Sequence, residues 1–408
     1  MNILVLDTIH GGADIAAAFE RAGHSVDAVD IYRKTTPEEE SRARIRSYDV
    51  IVAPVHMDPA HPLLAHRTCP IVTHHEAVRS LLGDNVPALM VEITGSRGKT
   101  TTAHALAHLL SKNGILHTSA GTYECPGYRL LCKKSITPAS VLAAAEYAQH
   151  INGWLIAEES LGVTGAGNLA IITSAGDYRC AAGKKSALAV KLESAKNCKH
   201  LLVAEGILLP HKDSITHLES VAVCCGQECS IALEEKVYRF TSPLLELSGY
   251  RTPLMLAGTA AALLGIDPAP LGTFTALDGR MSVTEERGIV IIDNANSGTN
   301  VMTTVEAARY ARQCAGVPGL TLVIGTVKGD GAVCEGFPGT QIVAAIEQIQ
   351  PDTVVWVGNP PQNISSSSSR QPWSWAPDAV CSTLADAKKT AMRITKQGSI
   401  VLSVKTWR

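Results

Sequence analysis

Lys99 and Thr100 stand at the end of a short glycine run, Thr94-Gly95-Ser96-Arg97-Gly98-Lys99-Thr100-Thr101. The spacing is Gly-x-x-Gly-Lys-Thr. The longer phosphate loop, G-x-x-x-x-G-K-[ST], would need its first glycine at Ile93. The chemistry of the short form is the same. Glycines let backbone N–H groups turn inward on a phosphate. The helix that follows presents its N-terminus to the anion. Lys99 is placed to reach the β- and γ-phosphates of a nucleotide, and Thr100 to hold magnesium. An ordinary strand-turn-helix is the competing reading. The order strand, glycines, Lys-Thr, helix favours the phosphate cradle.

Other candidate groups lie further along. Glu158-Glu159-Ser160 closes an apolar strand at 154–157. A carboxylate at the C-terminal end of a parallel strand beside a phosphate loop suits a magnesium contact, although a solvent-facing acid fits the spacing equally well. Lys191 sits on an apolar helical stretch, where a lysine ordinarily snorkels. Arg280, Asp293 and Lys405 fall on a different part of the chain from the loop, which suggests a site assembled between domains.

Other clusters carry weaker signals. His56, His61, His66, His74 and His75 lie close in sequence, but no tight ligand spacing with cysteine accompanies them. They read as surface and loop-packing residues, with metal or substrate contact the lesser option. Cys224, Cys225 and Cys229 lack a second pair at zinc-knuckle spacing and read as buried thiols. Gly11-Gly12 follows the first strand and Asp30 ends the second, yet G-x-G-x-x-G is absent, so NAD is not expected.

These groups need elements to position them. Strands are expected at 3–6, 25–31, 49–53, 70–73, 88–91, 154–157, 169–173, 201–204, 289–293, 320–325, 353–358 and 399–404. Helices are expected at 14–22, 101–112, 141–150, 187–198, 254–264 and 301–314. The stretch from 123 to 137 reads as irregular, and 365–369 as a serine loop without chemistry. Strands alternating with helices predict an α/β fold with parallel sheets. The expected domains are 1–88, a small Rossmann-like substrate domain; 89–277, a central P-loop ATPase domain; and 278–408, a C-terminal α/β Rossmann-like domain.

Composition narrows the class. With 408 residues, 46% hydrophobic and 18% charged, the chain can build a large core in two or three domains. The net charge of −2 and the lack of a basic stretch argue against nucleic acid as partner. The longest apolar run, 254–266, is too short to span a bilayer, so no membrane association is expected. The first residues lack a positively charged signal region, and eleven scattered cysteines do not form a secreted framework. A reducing cytoplasm is the expected setting.

Taken in order, these pieces resemble the Mur ligase family over essentially the whole chain. Thr94 to Thr101 is similar to that family's ATP loop, which has the short glycine spacing. Glu158-Glu159-Ser160 resembles its E-x-S strand, which puts the metal role on Glu158. Thr173-Ser174 with Asp177-Tyr178 resembles its T-N…D-H segment. Ala189-Val190-Lys191 falls where the family has A-x-K, whose lysine is often carbamylated to hold a second magnesium. Gly279-Arg280 matches its G-R, and Asp293-Asn294-Ala295-Asn296 its adenosine-contacting D-Y-A-H.

The resemblance therefore implies ATP and Mg2+ as cofactors. It implies catalytic roles for Lys99, Glu158 and Lys191, with the metal on Thr100, Glu158 and Lys191. Nucleotide contacts would come from Thr94, Gly95, Ser96, Arg97, Gly98, Lys99, Thr100, Thr101, Arg280, Asp293 and Asn296. Two positions depart from the pattern. Tyr178 replaces the metal-binding histidine, and Asn296 replaces the histidine of D-Y-A-H.

No UDP-sugar pattern stands in 1–88, so a peptidoglycan substrate is not expected. The opening, the stretch around His74-His75 and the ending Ser403-Val404-Lys405-Thr406-Trp407-Arg408 resemble a methanogen branch of the family acting on a nickel tetrapyrrole. That implies an ATP-dependent ligase that makes an acyl phosphate and closes a carbocycle, working as a monomer or homodimer on a small molecule. His74, His75 or Arg97 would contact the substrate's carboxylates. The alternatives are a Mur-like amide ligase joining an amino acid or peptide, and a phosphate-loop ATPase that moves a metal or cofactor.

Overall fold

The computed structural model describes all residues except 33–35, 66, 211, 297, 328–336, 361–375 and 407–408. His66, Ser297, the serine stretch 365–369 and the terminal Trp407-Arg408 lie outside the described residues. The chain divides into two compact units, Met1–Phe274 and Thr275–Arg408.

The first strand, Asn2–Leu6, buries four consecutive side chains, as a strand covered on both faces must. It is flanked by Ser25–Val29 on one side and Val50–Ala53 on the other, with Ile71–Thr73 beyond, all parallel. The helices Ala13–Arg21 and His74–Leu82 each bury one apolar stripe. A capping box between Thr73 and Glu76 fixes the start of the second.

An eight-stranded sheet follows. Its parallel part runs, in spatial order, Ile215–His217, His200–Val203, Leu169–Ile172, Met90–Thr94, Trp154–Glu158 and Gly114–Thr118. Met90–Thr94 is wholly buried and leads into the glycine turn Gly95–Gly98 at its carboxyl end. The helices Lys99–Leu109, Pro138–His150 and Ala187–Ala195 connect its strands. One cluster of buried side chains, including Ile3, Val5, Val78, Ile115, Ala144 and Leu155, joins this sheet to the four-stranded one.

Three expectations need correction here. The stretch after Gly121 is not irregular: Gly121–Cys125 and Arg129–Cys132 extend the sheet as an antiparallel edge. Alternation there is broken by the tight turn at Pro126-Gly127, which hides the period. A three-stranded sheet, Ala222–Cys225, Glu228–Leu233 and Lys236–Thr241, also went unforeseen. It pairs Cys224 with Cys229 across strands; Cys229 is buried, but Cys225 is exposed. Finally, the helix expected at 254–264 starts earlier, at Ser248, and tolerates Pro253 within it.

The second unit has a six-stranded sheet in the order Ser282–Glu286, Ile289–Asp293, Ser399–Lys405, Leu320–Thr326, Thr353–Val357 and Ala379–Cys381. Only the first pair is antiparallel. Helices Val301–Ala315, Gly339–Ile349 and Leu384–Ile394 connect the strands. The α/β reading with parallel sheets holds in both units. Among the described residues no helix is long and apolar enough to cross a membrane.

Candidate active site

The strand Met90–Thr94 delivers the chain into a turn that only glycine can make. Gly95 has φ +150°, and a Cβ there would lie 2.2 Å from Thr173 Oγ1. Gly98 has φ +82° and caps the helix Lys99–Leu109. A Cβ on Gly98 would meet Pro253 Cγ at 3.2 Å, so the later helix closes over the turn. The neighbouring strand end supports the loop. Thr173 Oγ1 donates to the Arg97 carbonyl, and Ser174 Oγ accepts from the Ser96 amide at 3.0 Å and the Arg97 amide at 3.3 Å. Thr94 Oγ1 donates to the Glu159 carbonyl at 3.1 Å. Arg97 itself is exposed, while Thr100 and Thr101 are buried.

Lys99 and Thr100 open the helix and face Glu158 from the adjacent strand. Thr100 Oγ1 donates to Glu158 Oε2 at 2.9 Å, and the Ser119 amide donates to the same oxygen at 3.1 Å. Lys99 Nζ lies 3.7 Å from Glu158 Oε1 and donates to the Gly95 carbonyl at 3.2 Å. Glu158 is only 2% exposed, so it is not a solvent-facing acid. A buried carboxylate beside a threonine hydroxyl at a helix N-terminus is an oxygen donor set suited to magnesium.

Lys191 does not snorkel. It is 1% exposed and its Nζ has no hydrogen-bond partner, lying 4.9 Å from the Tyr178 ring centroid. Burial, with the Lys99 cation nearby, lowers its pKa to about 8. Asp177 serves structure: it accepts from the Leu188 amide, the Ser186 hydroxyl and the Tyr178 amide, anchoring the start of the Lys191 helix. Those bonds hold its pKa below the usual carboxylate range.

His74 and His75 are not available to a substrate. Both are buried, and their Nε2 atoms donate to the carbonyls of Leu6 and Ser160. Burial lowers their pKa values to about 4 and about 3, so they are neutral near pH 7.

In the second unit, Asn296 Nδ2 donates to the Gly279 carbonyl at 2.6 Å, and its Oδ1 accepts from the Gly298 amide at 2.7 Å. Asp293 Oδ1 accepts from the Ala295 amide at 3.0 Å, and Asp293 pairs with Ser282 in the sheet. The structure thus brings Asp293, Asn296 and the Gly279-Arg280 turn together within this unit. Lys99, Thr100, Glu158 and Lys191 belong to the first.

Sequence reasoning passed over a buried carboxylate pair. Glu92 accepts from Thr164 Oγ1 and from the amides of Gly165 and Gly167. Glu159 beside it is fully buried, and neither of its oxygens has a hydrogen-bond partner. Burial and the neighbouring Glu92 carboxylate push its pKa well above 4.5. A group with a raised folded pKa costs stability as pH climbs past its unfolded value. Glu159→Gln is therefore expected to melt a few degrees above the unsubstituted protein near neutral pH. The difference should vanish below about pH 4, as thermal melts across pH would show.

Comparison with known proteins gives the family and the fold. The family profile described as "Coenzyme F430 synthetase CfbE, C-terminal domain" matches residues 283–406, and "Mur ligase middle domain" matches 93–151. A coenzyme F(430) synthetase of Methanosarcina acetivorans is 31% identical, covering 85% of this chain and 87% of its own. That of Methanocaldococcus jannaschii is 24% identical, covering 82% and 85%. Among solved structures, the bifunctional folylpolyglutamate synthase/dihydrofolate synthase of Yersinia pestis CO92 has a TM-score of 0.55 at 15% identity, covering 82% of this chain and 90% of its own. The UDP-N-acetylmuramoylalanyl-D-glutamyl-2,6-diaminopimelate–D-alanyl-D-alanyl ligase of Acinetobacter baumannii has a TM-score of 0.54 at 14% identity, covering 87% and 86%. These two share the fold. The sequence kinship goes further: the chain belongs to the coenzyme F(430) synthetase family of Mur-like ligases.

Proposed function

We propose that the chain is an ATP-dependent ligase that activates the propionate carboxylate of the seco-F(430) acid nickel tetrapyrrole and closes a carbocyclic ring by carbon-carbon bond formation. The products are coenzyme F(430), ADP and phosphate. The convergence of Lys99, Thr100 and Glu158 behind the Gly95–Gly98 turn supports the ATP half of this reading. Kinship with two relatives named coenzyme F(430) synthetase supports the substrate half.

In this mechanism a carboxylate oxygen attacks the γ-phosphorus of ATP. The bond to the bridging oxygen breaks and ADP leaves. Lys99 neutralises charge on the transferring phosphoryl group. Thr100 and Glu158 would hold a magnesium ion, which when bound would offset the charge of the phosphates. Lys191, as a carbamate, would add a second metal contact. Arg280, Asp293 and Asn296 are assigned to the nucleotide, and exposed Arg97 to a substrate carboxylate.

A macrocycle carbon then attacks the acyl carbon of the acyl phosphate. It loses a proton, and phosphate departs. Both reacting groups belong to one molecule, so the protein's work is to fold the side chain inward and exclude water. No nucleic acid, membrane or second organic substrate is required, and a monomer or homodimer suffices.

The test is ADP release with the seco-acid precursor as the sole organic substrate. The expected result is one ADP per precursor consumed without any amine. A requirement for an amino acid or peptide would overturn ring closure and favour the amide-ligase alternative.

A further inference from the structure

The four-stranded sheet reverses its strand order at Asn2–Leu6, with Ser25–Val29 on one side and Val50–Ala53 on the other. In open parallel sheets, the crevice beyond the carboxyl ends at such a reversal is where ligands sit. Three side chains with metal-binding chemistry meet there, and the reaction described above uses none of them. Asp7 directly follows the first strand, fully buried and in the left-handed conformation at φ 69°. His10 lies in the following turn, with Nδ1 2.8 Å from Asp7 Oδ2 and 3.0 Å from Oδ1. His56 follows Val50–Ala53 and places Nε2 3.5 Å from the same Oδ2. One ligand atom from each residue lies within 4.8 Å of the other two.

The surroundings orient these rings. Tyr32, just beyond Ser25–Val29, stacks on His56 with centroids 5.9 Å apart and meets His10 edge-on at 5.3 Å. His10 and His56 meet edge-on at 5.4 Å. The turn is held by the Gly12 amide donating to the Asp7 carbonyl at 3.1 Å, and a Cβ on Gly12 would lie 2.3 Å from that oxygen. The side chains of His10 and His56 are 47% and 30% exposed, so one side of the cluster opens to solvent.

We propose that Asp7, His10 and His56 form a binding site for one divalent transition metal of the zinc class, with an open position for an oxygen or nitrogen ligand. Two imidazoles and one carboxylate select such an ion over magnesium or calcium, which prefer all-oxygen sites. Tetrahedral coordination at ordinary bond lengths puts donors about 3.4 Å apart. The contacts to Asp7 bracket that value, so binding needs small side-chain shifts. The site is chemically distinct from the oxygen set of Thr100 and Glu158.

The test uses the full chain, stripped with chelator and kept in excess Mg2+ to saturate oxygen-donor sites. Bound Zn2+ is counted by elemental analysis, and Co2+ is titrated by its visible absorption. One metal per chain is expected, with affinity lowered about 100-fold or more in both His10→Ala and His56→Ala. Both residues are partly exposed, so circular dichroism should confirm that the variants fold. The proposal fails if no Zn2+ or Co2+ binds, or if both variants bind as the unsubstituted chain does. The second outcome would place the metal on other histidines or cysteines.

Discussion

Lys99→Ala is expected to lower precursor-dependent ADP release by about 10²–10³-fold, the typical consequence of removing a group that stabilises developing charge. The side chain is pre-positioned. Its amine rests between the Gly95 carbonyl and Glu158 Oε1, at 3.2 Å and 3.7 Å, where it balances a buried carboxylate. When a triphosphate enters, that cation can turn to the β- and γ-phosphates while Glu158 retains Thr100 and the Ser119 amide. Stability should fall by only about 1–2 kcal/mol, because two donors to the carboxylate remain. Lys99→Arg, which keeps the charge but not the compact ammonium, should recover little activity. Steady-state ADP release beside a thermal melt separates the two effects. A variant that melts normally yet turns over ATP at the original rate would remove Lys99 from the chemistry.

The second large effect is expected at Lys191, where function and stability should move in opposite directions. Lys191→Met is expected to reduce turnover by about 10²-fold or more. It should nevertheless raise stability, because the amine is buried without a hydrogen-bond partner. Burial and the Lys99 cation bring the folded pKa to about 8 from 10.5. The folded state therefore binds fewer protons than the unfolded chain between these values, and the cost of the charged form is greatest below the lower one. It is relieved as pH rises through the window. In bicarbonate-free buffer, where the amine is unmodified, the stability advantage of Lys191→Met should thus be about 2–3 kcal/mol below pH 8 and shrink toward pH 10.5. The same low pKa makes the neutral amine available to carbon dioxide. Carbon-13 bicarbonate should give a carbamate signal in the unsubstituted protein that Lys191→Met lacks. Absence of the signal, with full activity in bicarbonate-free buffer, would contradict the carbamate role.

What the sequence discloses is what lies contiguous along it. The run from Thr94 to Thr101 carries strand end, glycines and helix start together, and the structure keeps them together. Small errors at its edges have local causes. The strand begins at Met90 rather than 88, and the helix starts at Lys99 rather than 101, because the loop's Lys-Thr pair already occupies the first helical turn. Glu158 was legible as a strand-end acid, but its burial and its bond to Thr100 come from parallel pairing with Met90–Thr94. No residue spacing announces that pairing.

Where folding joins distant residues, sequence reading falls short. His56 was visible among five histidines, but its partners Asp7 and His10 arrive from the end of another strand. Of the others, His74 and His75 turn inward to backbone carbonyls. Glu92 and Glu159 look like ordinary strand residues until the sheet closes over both. Tyr178 marks the clearest local departure from the family pattern: its ring, not an imidazole, faces the Lys191 amine. Each case turns on tertiary burial, which local periodicity does not encode.

In the proposed reaction one carboxylate of a nickel tetrapyrrole is activated by ATP and captured by a carbon of the same molecule. Mass spectrometry of the organic product tests it most directly, with the seco-acid precursor labelled by oxygen-18 in its propionate. The expected product is lighter by one water, with one labelled oxygen carried into inorganic phosphate, and neither is expected in Lys99→Ala. An unchanged precursor alongside ATP turnover, or a cyclised product with unlabelled phosphate, would contradict it.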